Sequence, residues 1–257
     1  MSVIKKIINL HKNLYFSQII LMDTVSSTQD YLKELATTGQ RGVVCLAKHQ
    51  TNGRGRADRT WFCDAENLKF SMLFDLDIEA KDLPLVSLLA GVALRQTIEK
   101  IYNIKVELKW PNDILINEKK ICGIISEAGS TGKRVQWVVC GIGANTNMRK
   151  ENLPEEFADI ATSLLIETNQ FVKHEDFLDN FINQFTYYLK ILETDGSEKI
   201  VEIFQFLCNT IGKKVKIILD GEVKFGIAKK IDNLGNIVVE TETGEESYCS
   251  VDVIHLR

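Results

Sequence analysis

Hydrophobic and polar positions follow two different periods between residues 26 and 207. Short apolar or alternating runs predict strands at residues 43–47, 68–74, 105–110, 113–116, 121–127 and 135–141. Apolar residues at helical spacing predict helices at residues 83–102, 177–189 and 200–207. Ser26-Ser27-Thr28 is typical of a capped helix start and precedes the short apolar face of Tyr31, Leu32 and Leu35. This part of the chain is therefore predicted to be an α+β domain.

The pattern changes after Cys208. Residues 215–219, 223–230 and 237–241 are short strand-like runs, and turn-forming residues separate them at 220–221, 233–235 and 243–244. Short strands with such turns predict a small all-β unit, most simply a barrel. We therefore divide the chain into a main domain, residues 1–208, and a C-terminal unit, residues 209–257.

Composition narrows the class of protein. The chain has 257 residues, of which 45% are hydrophobic and 26% charged, which excludes a disordered or low-complexity protein. A formal net charge of -4 argues against a surface that tracks nucleic acid. Residues 83–94, the most apolar stretch, are far short of the ~20 residues of a membrane span. With no signal-peptide pattern and six scattered cysteines, we expect reduced, mostly buried thiols and a cytoplasmic protein.

The segment from Gln50 to Trp61 carries the strongest candidate chemistry. Gly53 and Gly55 let the backbone approach a ligand closely and point N–H groups into one concavity. The arginines of this segment, whose planar forks match phosphate or carboxylate, are Arg54, Arg56 and Arg59. Trp61 offers a flat face for a ring. The segment predicts an anion site, and the alternative is a mobile loop with scattered charge.

Three further segments are weaker alone. Pro111 turns the chain after a strand, so Asn112 and Asp113 either face a cleft or form an ordinary turn. Lys120, three residues before Gly123, either enters a pocket or is solvated. Residues 141–147 are a glycine-rich exit from a buried strand.

Two other patterns fail as nucleotide motifs. Residues 129–133 resemble a phosphate loop but link two predicted strands, and residues 141–146 lack the third glycine of a dinucleotide site. The four histidines have no metal-ligand spacing.

In order and spacing, these segments together resemble the biotin–protein ligases. The matching residues are Gly53-Arg54-Gly55-Arg56, Trp61, residues 109–113, 120–123 and 141–147, with Ser27-Thr28-Gln29 and residues 161–164 in support. The resemblance runs from about Tyr15 to Arg257. It implies a mixed β-sheet with helices, related to class II aminoacyl-tRNA synthetases, and a small C-terminal SH3-like β-barrel.

The resemblance also implies a two-step reaction. Biotin is activated with Mg-ATP to biotinoyl-5'-AMP and is then transferred to a lysine of an acceptor, the biotin carboxyl carrier protein of acetyl-CoA carboxylase or a related carboxylase. Lys120 would bridge the biotin carboxyl oxygen and the α-phosphate, Trp61 would pack near the adenine and Asn145 would reach its edge. Asn112 would help with phosphate or metal, and Asp113 would orient the incoming lysine or receive its proton.

By position, the resemblance assigns three sets of residues, and leaves metal ligands unassigned. The catalytic set is Lys120, Arg54, Arg56 and Asp113. The biotin-binding set is Ser27, Thr28, Gln29, Gln50, Gly53, Arg54, Gly55, Arg56, Lys120 and Gly123. The ATP-binding set is Arg54, Arg56, Arg59, Trp61, Asn112, Lys120 and Asn145.

Departures from the family pattern concern four positions. Gln29 replaces the usual Asn and lengthens the arm that would meet the ureido ring. Asp58 replaces a usual Gly, where it could pair with Arg59 or repel phosphates. Ala144 and Thr146 are smaller or more polar than the common aliphatic residues, so the packing beneath the adenine is expected to differ.

Other functions remain as alternatives. A lipoate–protein ligase or octanoyl transferase would share the catalytic fold, although the Gly53–Arg56 loop and the C-terminal barrel favour biotin. A non-catalytic regulator and a nucleic-acid-binding role for the basic loop are further options. Fewer than twenty residues precede the catalytic domain, so we expect a monofunctional ligase without a DNA-binding head. We expect no nucleic-acid or membrane partner, and a homodimer through a sheet edge stays open.

Overall fold

The computed structural model describes residues 4–10, 13–56, 59–62, 65–219, 221–249 and 251–256. The strands of the main sheet are β1 (Ile4–Asn9), β2 (Gln18–Val25), β3 (Val43–Gln50), β4 (Leu68–Phe74), β5 (Glu107–Lys109), β6 (Asp113–Ile116), β7 (Lys119–Thr131) and β8 (Arg134–Ala144). The helices are α1 (Thr28–Thr37), α2 (Pro84–Tyr102), α3 (Leu164–Thr168), α4 (His174–Asp195) and α5 (Ser197–Leu207).

The main sheet is mixed and has helices on both faces. Within the described residues its eight strands lie in the order β1-β2-β3-β4-β8-β7-β6-β5, and only β2 and β3 run parallel. Side chains alternate across each strand, so Val43 and Cys45 pack towards α1 while Val44 joins the core on the other face. That second, larger core holds the buried faces of α2, α4 and α5. The α+β prediction is confirmed.

Most predicted elements are present, with shifted bounds. Ser27 caps α1 as expected, since its hydroxyl accepts a hydrogen bond from the Asp30 amide at 3.4 Å. β3 continues to Gln50, three residues beyond the predicted end, because residues 48–50 still pair with β2. β1, β2 and α3 were not predicted. As an exposed edge strand, β1 carries no buried alternation.

The C-terminal unit is a second, antiparallel sheet. Its strands are β9 (Lys214–Leu219), β10 (Glu222–Ile231), β11 (Ile237–Thr241), β12 (Gly244–Tyr248) and β13 (Asp252–His255). They lie in the order β12-β11-β10-β9-β13, which confirms the small all-β unit. No ladder between β12 and β13 closes a barrel in the part of the chain that is described. The last two strands were not predicted.

Trp110 joins the two parts. Its side chain is buried, its indole N–H donates to the Gly235 carbonyl at 2.9 Å, and its amide donates to the Thr210 hydroxyl at 3.0 Å. That hydroxyl also lies 3.1 Å from Nε2 of His255, within hydrogen-bond distance. One apolar core runs continuously through both parts. The division at residues 208 and 209 therefore stays a prediction.

Five of the six cysteines lie among the described residues. Cys45, Cys122, Cys140 and Cys208 are buried free thiols, and Cys249 is exposed. Cys63 lies outside the described residues. No helix in the described ranges has both the length and the apolar character to cross a membrane.

The partly buried imidazole of His255 predicts a loss of stability in acid. Burial first, and then the charges of Lys109 and Lys213, lower the pKa of His255 from 6.5 to about 4. Between these values the unfolded chain binds a proton that the folded chain does not, so the free energy of unfolding falls as the pH drops from 6.5 to 4. Because the imidazole is partly exposed, solvent screening reduces the loss due to this residue to about 1–2 kcal/mol.

This expectation is measured by urea unfolding of the wild type and of His255→Gln across that pH range. The glutamine keeps an acceptor for Thr210 but does not titrate, so the variant should lose less stability on acidification. Equal pH slopes for the two proteins would contradict the assignment.

Candidate functional site

A cavity of about 420 Å³ lies on the α1 face of the main sheet, beyond the start of α1. Its floor is made of residues that stand opposite one another across neighbouring strands. One row is Ser71, Gly141 and Ile125, and the next contains Gly143 and Gly123. Directly opposed residues in antiparallel strands face the same side of a sheet, so the glycines leave this part of the floor flat.

Trp61 lies on this flat part of the floor. A Cβ atom added to Gly143 would stand 2.4 Å from the indole, and one added to Gly123 would stand 2.8 Å from it. The Trp61 amide also donates to the Gly53 carbonyl at 2.9 Å, which holds the loop over the sheet. Lys120 Nζ lies 5.2 Å from the centre of the Trp61 ring, within range of a cation–π interaction. The paired glycines Gly123 and Gly143 thus leave the space in which Trp61 packs against the sheet.

The start of α1 supplies one polar end of the cavity. Oε1 of Gln50 accepts from the Thr28 amide at 2.7 Å and from the Thr28 hydroxyl at 3.0 Å. The Gln29 amide group donates to the Val139 carbonyl at 3.0 Å, which leaves its Oε1 buried without a hydrogen-bond partner. Gly141 provides the space for this oxygen, because a Cβ there would lie 2.5 Å from it. An unpaired buried acceptor beside a cavity favours a ligand with an N–H or O–H donor.

The other end of the cavity is positively charged. Among the described residues, five cationic side chains line the cavity against two carboxylates, Asp113 and Asp252; the cations are Arg54, Arg56, Arg59, Lys109 and Lys120. Such a surplus in a partly buried site favours an anionic ligand.

Lys120 and Asp113 form the central ion pair of this end. Lys120 Nζ lies 2.6 Å from Asp113 Oδ1. The backbone of Lys120 is held by residues 160–162, since its amide donates to the Ile160 carbonyl at 2.8 Å and its carbonyl accepts from the Thr162 amide at 3.0 Å. Both ends of this peptide segment are therefore fixed, and the ammonium is presented to the cavity from a rigid strand.

Arg56 and Lys109 are the more deeply buried cations. Arg56 donates to Oδ1 of Asn112 at 3.1 Å, while the Asn112 amide group donates to the Ile124 carbonyl at 2.7 Å. Burial lowers the pKa of Arg56, opposed by the charges of Asp252 and Asp113. Burial likewise lowers the pKa of Lys109, and no described carboxylate lies within 4.0 Å of its ammonium. An incoming anion would relieve this unfavourable burial of positive charge.

Arg54 is held differently from Arg56. Its guanidinium lies 2.6 Å from Asp30 and 3.4 Å from Glu127. Lys33 in turn contacts Glu127 at 2.7 Å. Burial opposes the charge of Arg54, but these ion pairs and hydrogen bonds raise its pKa above the ordinary value. Arg54 therefore joins the loop to α1 and β7.

The C-terminal sheet closes one side of the cavity. Arg59 Nη2 lies 2.8 Å from Asp252 of β13, and the Arg59 Nε–H donates to the Arg56 carbonyl at 3.1 Å. Ile218, Val253 and Ile254 also line the cavity. The loop that carries the arginines thus contacts both parts of the protein.

Asn145 lies at the edge of the floor. It accepts from the Asn67 amide group at 3.1 Å and donates to the Thr162 carbonyl at 3.1 Å. Two positions that depart from the family pattern, Ala144 and Thr146, are fully buried, and the Thr146 hydroxyl donates to the Glu66 carbonyl at 3.2 Å.

The structure brings nearly all the predicted site residues to this one cavity. Gly53 is the exception, since it is buried behind Trp61 and does not line the cavity. The departure at Asp58 lies outside the described residues. Sequence reasoning did not place Ser71, Lys109 or Asp252 in the site. Lys109 is the first residue of the segment 109–113 that carries the resemblance, although no role is assigned to it there, and nothing local in the sequence marks Asp252.

Comparisons with known proteins agree with this geometry. Residues 21–145 match the biotin/lipoate A/B protein ligase family, and residues 210–256 match the biotin protein ligase C terminal domain. The bifunctional ligase/repressor BirA of Bacillus spizizenii is 33% identical over 237 residues, which cover 91% of this chain and 73% of that protein. The biotin–[acetyl-CoA-carboxylase] ligase of Mycobacterium tuberculosis is 27% identical, with 93% of this chain and 88% of that protein covered.

The comparison with solved structures also finds a biotin protein ligase. The biotin protein ligase of Aquifex aeolicus in complex with biotin and ATP superposes with a TM-score of 0.80 at 27% identity, covering 93% of this chain and 99% of that chain. The fold and site therefore define an enzyme of the protein-ligase class. The chain belongs to the biotin/lipoate A/B protein ligase family.

The close contact between Trp61 and Gly143 predicts that Gly143→Ala displaces the Trp61 indole. The new Cβ would lie 2.4 Å from the ring, a separation that atoms do not tolerate, so the loop must move. With Trp110→Phe and Trp137→Phe as background, acrylamide should quench the remaining Trp61 fluorescence more strongly in the Gly143→Ala variant.

Gly91→Ala in α2 is the matched control. Its added Cβ would lie 3.6 Å from the nearest atom, an ordinary contact, so quenching should not change. Unchanged quenching in Gly143→Ala would show that Trp61 does not sit against this glycine.

Proposed function

We propose that this chain is a biotin–protein ligase that activates biotin as biotinoyl-5'-AMP and transfers it to a lysine of a carrier protein. The observation that carries the proposal is the composition of the cavity described above. It joins an unpaired amide oxygen of Gln29, suited to a neutral ring with N–H donors, to a cationic end suited to phosphates. A flat aromatic face, Trp61, lies between them.

The polar end at α1 would hold the ureido ring of biotin. That ring has two N–H donors and one carbonyl acceptor. Gln29 Oε1 accepts one donor, and the hydroxyls of Ser27, Thr28 and Ser71 line the same end. The dithiolane ring of lipoate has no N–H to pair with Gln29, so this end favours biotin. The longer arm of Gln29 is anchored on the Val139 carbonyl, which sets the position of its oxygen.

In the first step the biotin carboxylate oxygen bonds to the α-phosphorus of ATP, and pyrophosphate leaves. Two anions must meet, so the enzyme must supply positive charge at the point of contact. Lys120 would lie between the carboxylate and the α-phosphate, and Arg56 and Lys109 would contact the phosphates. Two of them are fixed before substrate arrives: Lys120 by its backbone hydrogen bonds and Arg56 by its hydrogen bond to Asn112. Arg54 would act mainly by fixing the loop.

In the second step the amine of the acceptor lysine attacks the carbonyl carbon of the mixed anhydride, and AMP leaves. The attacking amine must lose a proton. Asp113 is the carboxylate nearest to Lys120, at 2.6 Å, and once Lys120 binds the adenylate Asp113 can orient the incoming ammonium or receive its proton.

Magnesium would accompany ATP rather than occupy a site made by the protein alone. No group of three or more His, Cys, Asp or Glu side chains in the described ranges could hold a metal ion. Mg²⁺ usually takes one or two protein oxygens and completes its shell with phosphate and water. The oxygens of Asn112 and Asp113 fit that pattern at the phosphate end. Bound there, the ion would neutralise phosphate charge.

The remaining expectations follow from this reaction. We infer that the acceptor is the biotin carboxyl carrier protein of acetyl-CoA carboxylase or of a related carboxylase, and that the enzyme works in the cytoplasm, where ATP and reduced thiols coexist. Trp61 and Asn145 would contact the adenine. Two expectations stay predictions. One is that the protein has no nucleic-acid partner, and the other is that a homodimer can form through a sheet edge.

The proposal is tested by incubating the purified chain with ATP, magnesium and either biotin or lipoate, and identifying the acyl-adenylate by mass spectrometry. Biotinoyl-AMP should form. An adenylate of lipoate alone would favour the rival ligase, and no adenylate with either acid would contradict the proposal.

Lys120→Ala should reduce adenylate formation by at least about 100-fold, because two anions would then meet without the central cation. Pyrophosphate release with saturating biotin and ATP measures the rate. Lys119→Ala is the control, since Lys119 donates to the Ala158 carbonyl and does not line the cavity. Adenylate formation by Lys120→Ala at the wild-type rate would show that the assignment is wrong.

Gln29→Met should weaken biotin binding by about tenfold and leave ATP binding unchanged. The methionine keeps the length of the side chain but removes the acceptor for a ureido N–H, a loss of roughly 1–2 kcal/mol. Titration calorimetry with biotin measures the effect. Biotin affinity equal to that of the wild type would exclude Gln29 Oε1 as a ligand of the ring.

A further inference from the structure

The outer face of the C-terminal sheet exposes apolar side chains in a continuous strip. Across the strands Phe225 stands opposite Lys216, which stands opposite Ile254. The neighbouring row joins Val223 to Ile218 and Asp252 in the same way. Opposed residues share a face, so these rows form one surface.

The strip is exposed although it is apolar. Phe225 is 57% exposed, Val223 46% and Ile254 44%, and Ile227 further along β10 is 37% exposed. Solvent-exposed apolar residues that cluster, rather than occur singly, mark interaction surfaces. We call the set Val223, Phe225, Ile227, Ile254, Lys214 and Lys216 the β9–β13 strip.

One end of this strip reaches the mouth of the active-site cavity. Ile218, Asp252 and Ile254 line the cavity and belong to the same sheet face as Phe225 and Val223. A molecule that lies on the strip is therefore beside the opening through which a second substrate must enter.

The strip also carries positive charge, which favours a partner with an acidic surface. Lys214 stands opposite Ile227, and Lys216 stands between Phe225 and Ile254. Neither lysine has a carboxylate within 4.0 Å among the residues whose positions are described. The nearby acids are already paired, Asp252 with Arg59 at 2.8 Å and Glu240 with Lys229 at 3.0 Å. Two lysines without an ion pair around an apolar centre favour an acidic partner surface.

We propose that the acceptor protein docks on the β9–β13 strip through an acidic face with an apolar centre, and so presents its lysine to the cavity. The proposal rests on the proposed function, because a ligase must admit a folded second substrate at this opening. The apolar side chains supply the buried contact and the two lysines orient the acceptor. Specificity for the acceptor would therefore lie in the C-terminal sheet, while biotin activation lies in the main domain.

The test separates activation from docking. Val223→Ser/Phe225→Ser removes the apolar centre, and Lys214→Glu/Lys216→Glu reverses the charge. Each is assayed for adenylate formation, for transfer of biotin to the isolated biotin carboxyl carrier domain of acetyl-CoA carboxylase, and for transfer to hydroxylamine, a nucleophile too small to need a docking surface. Phe206→Ser and Lys190→Glu are matched controls on α5 and α4, outside the strip.

Both strip variants should raise KM for the carrier domain by about tenfold, with adenylate formation and hydroxylamine transfer unchanged. The controls should behave as the wild type. In the wild type, added salt should raise KM for the carrier domain, and this dependence should be weaker in the charge-reversal variant.

A wild-type KM for the carrier domain in Lys214→Glu/Lys216→Glu would overturn the proposal, as would an equal effect on hydroxylamine transfer. If thermal unfolding shows that the serine variant does not fold, the charge-reversal variant decides alone. Failure of the wild type to form any adenylate would instead contradict the proposed function, so the two failures are distinguishable.

Discussion

The site depends on the pairing of Gly123 with Gly143 across β7 and β8. Because neither residue has a side chain, the sheet is flat there and the Trp61 indole can lie directly on it. Trp61 in turn fixes the loop that bears Arg54, Arg56 and Arg59. A side chain on either glycine would lift this loop from the sheet. The geometry of the cationic end thus depends on the absence of a side chain at both glycines.

The electrostatics of the site follow from where its charges are anchored. The chain has a formal net charge of -4, yet in the described part of the structure five cations line one cavity against two carboxylates. Three of these cations are held by different partners: Lys120 by backbone contacts and Asp113, Arg54 by Asp30 and Glu127, and Arg59 by Asp252. Preorganised charge of this kind costs little reorganisation when two anionic substrates meet. Burial of Arg56 and Lys109 adds a reason for an anion to bind.

Much of the architecture was predictable because it depends on local patterns in the sequence. The helical spacing in α2, the Ser27 cap of α1 and the turns of the C-terminal sheet are local features, and each was found. The loop from Gln50 to Trp61 could be singled out as a candidate site because glycine and arginine have distinct chemistry.

The features of the site that the sequence did not predict depend on contacts between residues far apart in the chain. Gly53 does not line the cavity, since its carbonyl serves the Trp61 amide instead. Arg54 meets Glu127, 73 residues away, and Arg59 meets Asp252, 193 residues away. No periodicity marks such partners. For the same reason the contribution of the C-terminal sheet to the cavity, and the strip that continues from it, emerged only from the fold.

The central claim is that one cavity both activates biotin and delivers it to a protein lysine. The most direct measurement is the mass of an intact biotin carboxyl carrier domain after incubation with the chain, ATP, magnesium and an equimolar mixture of biotin and lipoate. The account predicts that the domain gains one biotinoyl group at its acceptor lysine. An unmodified domain, or one that carries lipoate, would contradict it.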